Sequence, residues 1–278
     1  MDVRSFCRAS DLFEVATGLL LPREAEYYLM CGILLQLRES EQGAVRHGAT
    51  PLLLGIFDGE RLIAAAVQLP PRHVVLTHMS EDAVAVLAEH LSRRPQSLPG
   101  VCAPLETAHR FAQAWSRHAG TEPILEATTR VYKASKVTTP PTPGCSEVAG
   151  PERLDLVLAW MSAMTGMSEA EAREHVALVQ QQVDAGRIML WNAPHPVSMA
   201  TLTRATPNGI GIGGVYTPPE YRRHGYASAV VAAITQRQLD VGRSFCALCS
   251  DASEPGLDRL YRRVGYRAVC DYALYSLS

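Results

Sequence analysis

Short apolar runs alternate along the chain with segments of helical periodicity. In the first half, helical spacing of apolar residues predicts helices at residues 24–38, 81–93 and 105–118. Apolar runs predict strands at 73–79 and 128–132, and Asp58-Gly59 between two further runs predicts a hairpin. Ser80 is placed to cap the helix at 81–93, because serine is a favoured N-cap and acidic residues follow it.

The second half repeats this order of elements. Helices are predicted at 151–164, 169–185, 225–241 and 257–264. Strands are predicted at 187–192, 197–204, 210–217, 245–250 and 267–277. Because hairpin strands precede alternating helices and strands, the predicted fold class is α/β, built on a mixed α+β sheet. The two halves share this order but no clear repeat of individual residues.

One interval breaks both patterns. Residues 136–146 are rich in proline and threonine and show no periodicity, as linkers commonly do. The sequence therefore predicts two domains, residues 1–135 and 147–278, joined by this linker. Each has an ordinary domain size.

Overall charge and the length of the apolar runs argue against two classes of partner. The formal net charge of −2 is far from the basic character of a protein that neutralises phosphates, so no nucleic-acid partner is expected. The apolar stretch at 15–21 is far shorter than the ~20 residues that span a bilayer, and its acidic flanks differ from those of a signal peptide. We therefore expect a cytoplasmic protein with no membrane partner. Whether it is a monomer or a homodimer stays open.

Seven cysteines, scattered, odd in number and mostly within apolar runs, predict reduced, buried thiols in a reducing compartment. Cys246 and Cys249 have a spacing found in metal sites. They lie in a predicted strand, however, where residues three apart point to opposite faces. No second pair and no histidine lies nearby in the sequence, so no metal is expected.

The segment at 209–228 carries the clearest chemical pattern. Its strand is thinned by glycine, which within a strand often marks the close approach of a ligand. The glycines concerned are Gly211, Gly213 and Gly214. After Pro218-Pro219, a basic run at 222–224 leads into a helix that Gly225 opens. Free N–H groups at a helix N-terminus and nearby arginines favour an anion, so the segment predicts a pyrophosphate site. A purely structural strand–turn–helix unit is the alternative, and the Walker and Rossmann patterns are absent.

Two motifs in this half resemble those of the Gcn5-related N-acetyltransferases (GNATs). Arg222-x-x-Gly225-x-Ala227 resembles the family signature Gln/Arg-x-x-Gly-x-Gly/Ala between its fourth strand and the next helix. Leu260-Tyr261-x-x-x-Gly265-Tyr266 resembles the second family motif, at a typical spacing from the first. The order of elements in both halves resembles a bacterial two-domain subgroup whose N-terminal half is degenerate. The second half is also similar to glycine N-acyltransferases.

This resemblance implies tandem GNAT-like acyltransferase folds and acetyl-CoA as cosubstrate. The implied reaction is N-acetylation, in which a primary amine, expected on a small molecule, attacks the thioester directly. Backbone groups of Val215 and Thr217 would bond the pantetheine, amides at 223–228 would hold the pyrophosphate, and Tyr261 would protonate the leaving thiolate. The coenzyme-binding set implied in this way is Val215, Tyr216, Thr217, Arg222, Arg223, His224, Gly225, Tyr226, Ala227, Ser228 and Glu254. Glu254 departs from the asparagine common in the family, which puts that contact in question.

Several of these residues have plainer alternatives. Tyr261 can be a core aromatic, and His224 a solvated loop residue. Glu24 and Glu26 are expected on a solvated helix face, with a reach into the active cleft as the alternative. The general base is not identified, and the candidates are Asp251, Glu254 and water. The alternative function is an acyl-CoA-binding sensor or scaffold with no turnover.

The first half is expected to bind no coenzyme. Its corresponding junction, residues 74–83, contains neither glycine nor arginine. Ser80 would occupy the free N–H groups of the helix, and Glu81 and Asp82 would repel a phosphate. We therefore expect one coenzyme per chain, with the first half walling the acceptor side of the cleft.

Overall fold

A computed structural model describes residues 1–41, 50–94 and 98–277 of the chain. The elements of the first half are β1 (Asp2–Ser5), α1 (Ala9–Leu20), α2 (Tyr28–Glu41), β2 (Leu52–Asp58), β3 (Arg61–Gln68), β4 (Val74–Leu76), α3 (Glu81–Ser92), β5 (Gly100–Pro104), α4 (Leu105–Ala119) and β6 (Ile124–Ala134). A short 3-10 helix, Leu21–Arg23, leads from α1 into the turn before α2. Gly59 has a positive φ of 59° in the turn between β2 and β3, so the predicted hairpin is confirmed.

The elements of the second half are β7 (Cys145–Val148), α5 (Leu154–Thr165), α6 (Glu169–Asp184), β8 (Ile188–Asn192), β9 (Pro196–Ala205), β10 (Gly209–Tyr216), α7 (Tyr226–Asp240), β11 (Phe245–Asp251), α8 (Pro255–Val264) and β12 (Arg267–Ser276). Single-turn 3-10 helices precede α5 and α7, at Pro151–Arg153 and Pro219–Tyr221.

All of these strands belong to one sheet, in the order β1-β2-β3-β4-β5-β12-β6-β11-β10-β9-β8-β7. Only β4–β5 and β10–β11 pair in parallel among the strands described; the other neighbours are antiparallel. Each half thus contributes one parallel pair, followed in the chain by a helix. The predicted mixed α/β sheet is confirmed.

The two halves exchange strands at the centre of this sheet. The last strand, β12, pairs with β5 of the first half, and β6 of the first half lies between β12 and β11. A bidentate ion pair between Arg130 and Asp271, at 2.7 and 2.8 Å, crosses the β6–β12 junction. Neither half therefore completes its own part of the sheet.

Helices cover both faces of the sheet, because alternate strand residues point to opposite sides. On what we call the first face, α1 and α2 pack on Leu53 and Val131, and α5 and α6 pack on Leu190. On the second face, α3 and α4 pack on Leu54, and α7 and α8 pack on Tyr132. Helix α2 extends past its own half and reaches β9 and β10 on the first face.

The turn before α2 joins the halves through a buried carboxylate. Glu24 accepts hydrogen bonds from the backbone N–H of Asn208 at 2.8 Å, from its side-chain amide at 2.7 Å and from the Thr206 hydroxyl. Glu26 accepts from Arg23 and contacts the His78 ring. The prediction that Glu24 and Glu26 lie on a solvated helix face is wrong: their exposed fractions are 6% and 5%. A buried carboxylate needs such partners, and only the tertiary fold brings them together.

Other differences from the predictions concern short or edge elements. The helix predicted at 24–38 begins at Tyr28, and the strand predicted at 73–79 covers only Val74–Leu76. Strand β7 begins at Cys145, inside the predicted linker 136–146, which also donates a backbone N–H from Thr138 to the Val264 carbonyl at 2.8 Å. Helix α1 and strands β1 and β5 were not predicted. No helix in the described ranges is both long and apolar enough to cross a bilayer.

Candidate active site

The parallel strands β10 and β11 separate part-way along their length. They pair from Gly209 with Phe245 to Gly211 with Ala247, and no further, although both strands continue. Beyond this point β10 carries one extra residue relative to β9, and Gly214 there has a φ of +56°. Such a bulge bends a strand, and glycine adopts this conformation without strain. The result is a wedge between the C-terminal ends of β10 and β11.

The N-terminus of α7 faces this wedge with free donors. Gly225, its N-cap residue, has a φ of +87° and provides no side-chain cap. The first helical hydrogen bond runs from Ala229 N–H to the Gly225 carbonyl at 3.0 Å. The N–H groups of residues 226–228 therefore have no helical partner. Arg223, with a φ of +69°, is the only non-glycine residue of positive φ in the described ranges. Consecutive amides in such a turn, together with the helix dipole, form an anion-binding concavity.

A cleft of about 730 Å³ joins the wedge to the α7 N-terminus and α8. The predicted coenzyme-binding residues that line it are Val215, Tyr216, Thr217, Arg222, Arg223, Gly225, Tyr226, Ala227, Ser228 and Glu254. Tyr261, predicted to be catalytic, lines it as well. His224 is not among the lining residues: it is exposed and its ring stacks on that of Tyr226, with centroids 5.6 Å apart. The end of β10, the loop that follows it and the helices α7 and α8 thus bring these residues together in three dimensions.

The cleft is cationic, and half of its charge comes from residues that the sequence analysis missed. Arg259 and Arg263, one turn apart on α8, line it opposite Arg222 and Arg223. Glu254 is the one carboxylate among the lining residues. The sequence did contain a signal for these two arginines, since residues four apart on a helix lie on the same face. Arg259 lies on the same helix as the Tyr261 motif, so helical spacing could have identified both arginines.

Tyr261 belongs to the core and to the cleft at once. It is 6% exposed, and its ring lies 5.5 Å from Tyr132 and 6.1 Å from Tyr266 between ring centroids. Burial raises the pKa of its phenol to about 12. At neutral pH the hydroxyl is therefore a firmly protonated hydrogen-bond donor. The core-aromatic alternative and the cleft position are both correct descriptions of this residue.

The hydrogen bonds around Asp251 argue against this residue as the general base. Asp251 accepts hydrogen bonds from the backbone N–H and the hydroxyl of Ser253, at 2.8 and 2.7 Å. These bonds lower its pKa, which makes the carboxylate a weaker base. Glu254 is exposed at the N-terminus of α8. In the described part of the chain, no three His, Cys, Asp or Glu side chains form a group that could hold a metal ion.

The corresponding place in the first half is already filled. The Ser80 hydroxyl caps α3 by accepting from Ala83 N–H at 3.3 Å, and Glu81 and Asp82 occupy the first turn. The predicted cap is confirmed. An anion at this helix terminus would meet two carboxylates and an occupied donor.

Comparison with known proteins identifies the fold. The FR47-like protein family model matches residues 194–274, which contain both motifs. An acetyltransferase of the GNAT family from Colwellia psychrerythraea has a TM-score of 0.60 at 10% identity, over 99% of each chain. The GCN5-related N-acetyltransferase from Sphaerobacter thermophilus has a TM-score of 0.62 at 16% identity, over 98% of this chain and 94% of its own. A tandem GNAT protein from the clavulanic acid biosynthesis pathway has a TM-score of 0.57 at 11% identity, over 100% and 98%.

The chain has a tandem GNAT fold. The similarity to the clavulanic-pathway protein extends over both halves, which confirms the predicted fold class. The wedge between β10 and β11 and the open N-terminus of α7 are thus features of the second GNAT unit. A search among curated proteins gave no significant match.

Proposed function

We propose that this protein is an acetyl-CoA-dependent N-acetyltransferase that acts on a primary amine of a small molecule. One observation carries the proposal. The uncapped N-terminus of α7, shaped by Arg223 and Gly225 in left-handed conformations, opens onto a cationic cleft at the mouth of the β10–β11 wedge. The transferred acetyl group, rather than another acyl group, is part of this proposal.

The cleft fits the parts of coenzyme A. The N–H groups of residues 226–228 suit the pyrophosphate, and the arginines of α8 suit the remaining negative charge of the nucleotide. Along β10, the backbone groups of Val215 and Thr217 lie beyond the last pairing with β11, so a pantetheine arm can take the place of the missing strand. Gly225 keeps the site open, since it presents no side chain to the anion.

The cosubstrate supplies an activated thioester, and the protein supplies position and charge. A backbone N–H of glycine-thinned β10 stabilises the oxyanion that forms when the amine attacks the thioester carbonyl. The Tyr261 pKa of about 12 exceeds that of a thiol by about 3.5 units, so complete proton transfer in the ground state costs roughly 5 kcal/mol. Tyr261 therefore keeps its proton and stabilises the leaving thiolate by donating a hydrogen bond, while the proton that the amine loses passes to water.

The two halves divide the work in this proposal. Residues 147–278 hold the coenzyme, and residues 1–135 supply α2 as a wall on the first face of β9 and β10. One coenzyme binds per chain, because the α3 N-terminus is capped and acidic. The likeness of the second half to glycine N-acyltransferases remains a prediction within this proposal.

A thiol-release assay tests the reaction. The purified protein is mixed with acetyl-CoA and each of a panel of small primary amines, and free coenzyme A thiol is measured with a disulfide reagent. We expect amine-dependent release, with the acetylated amine confirmed by mass spectrometry. Mass spectrometry of the coenzyme that copurifies with the protein reports the acyl group directly. A copurifying long-chain acyl-CoA would contradict the assignment of acetyl-CoA.

A sensor or scaffold without turnover is the second candidate, and Glu254 is the observation that favours it. This carboxylate lines the coenzyme cleft. The GNAT family that the two motifs resemble commonly has an uncharged asparagine there. Tight binding of acetyl-CoA by calorimetry, combined with no thiol release for any amine, would support the sensor and overturn the enzyme.

A further inference from the structure

Arg204 is a half-buried arginine of β9 whose Nε–H has no hydrogen-bond partner among the described residues. Its Nε atom is shut off from solvent and meets no hydrogen-bond acceptor. Across the described ranges, its guanidinium makes neither a hydrogen bond nor an ion pair. Arg187, near the start of the adjacent strand, shows what a structural arginine does in this sheet: it donates to the carbonyl groups of Leu202 and Thr203. Among the described residues, Arg204 donates to no backbone carbonyl group in this way.

An unpaired guanidinium in this position is costly. Burial lowers the pKa of Arg204, and the positive charge of Arg72 nearby lowers it further. The positive charges of Arg72 and Arg204 repel each other, and a buried N–H donor without an acceptor forfeits its hydration. The arrangement is explained if an anion from outside the chain completes it.

A glycine on α2, in the first half of the chain, leaves space for the Arg204 side chain. Its aliphatic stem passes over Gly32 of α2, where an added Cβ would lie 2.5 Å from the Arg204 Cβ atom. Tyr28, one turn earlier on α2, lies next to Arg204 and has its ring edge 3.4 Å from the position of a Cβ on Gly211. Arg204 and Tyr28 therefore stand together on the first face of the sheet.

This place adjoins the proposed reaction centre. Gly211 is the last residue at which β10 pairs with β11, so Tyr28 lies at the base of the wedge. The coenzyme cleft opens beside α7 and α8, which cover the second face. An acceptor on the first face thus reaches the thioester from the side opposite to those helices, through the gap between the strands. Partly exposed Thr201 and Thr203 line the way along β9.

We propose that the acceptor amine carries a carboxylate, and that Arg204 binds it. The planar guanidinium fork matches a carboxylate with two parallel hydrogen bonds, a geometry that lysine cannot supply. Arg72 adds positive charge, and Tyr28 sets the distance between the bound carboxylate and the wedge. The inference rests on the proposed N-acetyltransferase activity and specifies its acceptor class as amino acids or other amino carboxylates.

Matched acceptor pairs test this. Each amino acid of a panel is compared with the amino alcohol of the same skeleton, glycine with ethanolamine and phenylalanine with phenylalaninol, in the thiol-release assay. The amines of each pair have similar basicity, so the carboxylate is the main difference. We expect wild-type kcat/KM to favour the acids at least about 10-fold, as for a hydrogen-bonded charge pair.

Variants separate binding by Arg204 from other effects. Arg204→Met should lower kcat/KM for the acids about 10- to 100-fold, chiefly through KM, and leave the alcohols within about twofold. Arg204→Lys should recover part of the loss. Arg117→Met, which removes an exposed arginine of α4, is the charge-matched control and should change neither series. Calorimetry should give the same acetyl-CoA affinity in all four proteins.

Three outcomes would overturn the inference. The first is a wild type that does not discriminate acids from alcohols, which settles the question even where Arg204→Met does not fold. The second is an Arg204→Met variant that keeps the full preference for acids. The third is acetylation of neutral amines alone. Turnover of no amine at all overturns the proposed function, and this inference with it, and is distinguishable from the other results because acetyl-CoA binding is measured in parallel.

Discussion

At the scale of single residues, two backbone conformations shape the candidate site more than any side chain does. Arg223 and Gly225 both have positive φ, and they shape the turn that leads into the uncapped N-terminus of α7. A left-handed non-glycine residue costs of order 1–3 kcal/mol and persists where the surroundings hold it. Such strain is common at binding sites. Here the strained residue Arg223 lies next to the free N–H groups of α7, where binding of an anion would offset the strain.

Tyr261 gives the prediction at this scale. Tyr261→Phe keeps the ring that packs against Tyr132 and removes only the hydroxyl. We expect kcat to fall about 10- to 10³-fold with little change in acetyl-CoA affinity, as for the loss of one hydrogen-bond donor that acts in the transition state. Steady-state kinetics and calorimetry measure the two effects.

Tyr266→Phe is the matched control. Its buried hydroxyl bonds Thr235 at 2.7 Å, away from the cleft lining. This variant should lose about 1 kcal/mol of stability and keep its kcat. Equal rates for wild type and Tyr261→Phe would show that the Tyr261 hydroxyl has no part in the reaction.

At the scale of elements, the contrast between α7 and α3 decides where an anion can bind. Each helix follows the first strand of a parallel pair, β4 for α3 and β10 for α7. Helix α3 begins with a serine cap and two carboxylates, whereas α7 begins with an uncapped glycine and neighbouring arginines. Free donors and the positive end of a helix dipole favour an anion only in the second case.

Gly225→Glu tests the anion site on α7. A carboxylate at its N-terminus would enter the phosphate position and repel the ligand, so acetyl-CoA binding should be lost. Gly242→Glu is the control, since Gly242 has a similar φ of +91° but follows the other end of α7, in open space. Both variants should lose about 1 kcal/mol of stability because a side chain is strained at positive φ. Calorimetry that finds unchanged affinity in folded Gly225→Glu would refute the pyrophosphate assignment.

At the scale of the whole molecule, strand exchange makes the two halves interdependent. Strand β6 fills the gap between β11 and β12, and β12 in turn completes the sheet beside β5. The buried Glu24 carboxylate fixes the turn of the first half to Asn208 of the second. The lining of the candidate cleft comes from the second half alone, but β6 of the first half pairs with β11 beside it, and Arg204 packs on Gly32 of α2.

Removal of the first half is the direct test. A fragment of residues 136–278 lacks β6, so the edges of β11 and β12 would face each other without hydrogen bonds. We expect it to be unfolded by circular dichroism and inactive, while the whole chain titrates with one acetyl-CoA. A folded, fully active fragment, or two equivalent sites in the whole chain, would contradict this division of labour.

Buried thiols predict a loss of stability at high pH. Burial raises the pKa of Cys31, Cys102, Cys246 and Cys270 from about 9 to about 12. Above pH 9 the unfolded chain releases these protons while the folded chain keeps them. Stability is therefore complete below pH 9 and falls as pH rises toward 12, by about 1.4 kcal/mol per pH unit for each thiol.

Urea denaturation under reducing conditions at pH 7.5, 9 and 10.5 measures this slope. Cys102→Ala should reduce the slope, whatever its effect on stability at neutral pH. Cys145→Ala is the control, since the thiols of Cys7, Cys145 and Cys249 are exposed, contrary to the prediction of buried cysteines. A pH-independent free energy of unfolding across the range would argue against these buried thiols as its cause.

The sequence by itself determined the local chemistry of this protein. Glycines within β10, the basic run before Gly225 and the apolar period of α7 are contiguous, so they predict a strand, an open loop and a helix whose N–H groups face an anion. Ser80 and its acidic neighbours predicted the closed counterpart in the same way. The mixed sheet could be predicted from the order of the elements, because the hydrophobic period of each segment identifies it as a helix or a strand.

Only the tertiary structure decided what is brought together from distant positions. The exchange of β6 and β12, the burial of Glu24 against Asn208, and the meeting of Tyr28 with Arg204 each join residues more than 100 positions apart. No local sequence pattern encodes such a contact. A carboxylate in a helical segment is predicted to face solvent, because its hydrogen-bond partners lie elsewhere in the sequence. Short strands such as β1 and β5 escaped prediction for the same physical reason, since their hydrogen bonds come from neighbours in space rather than in sequence.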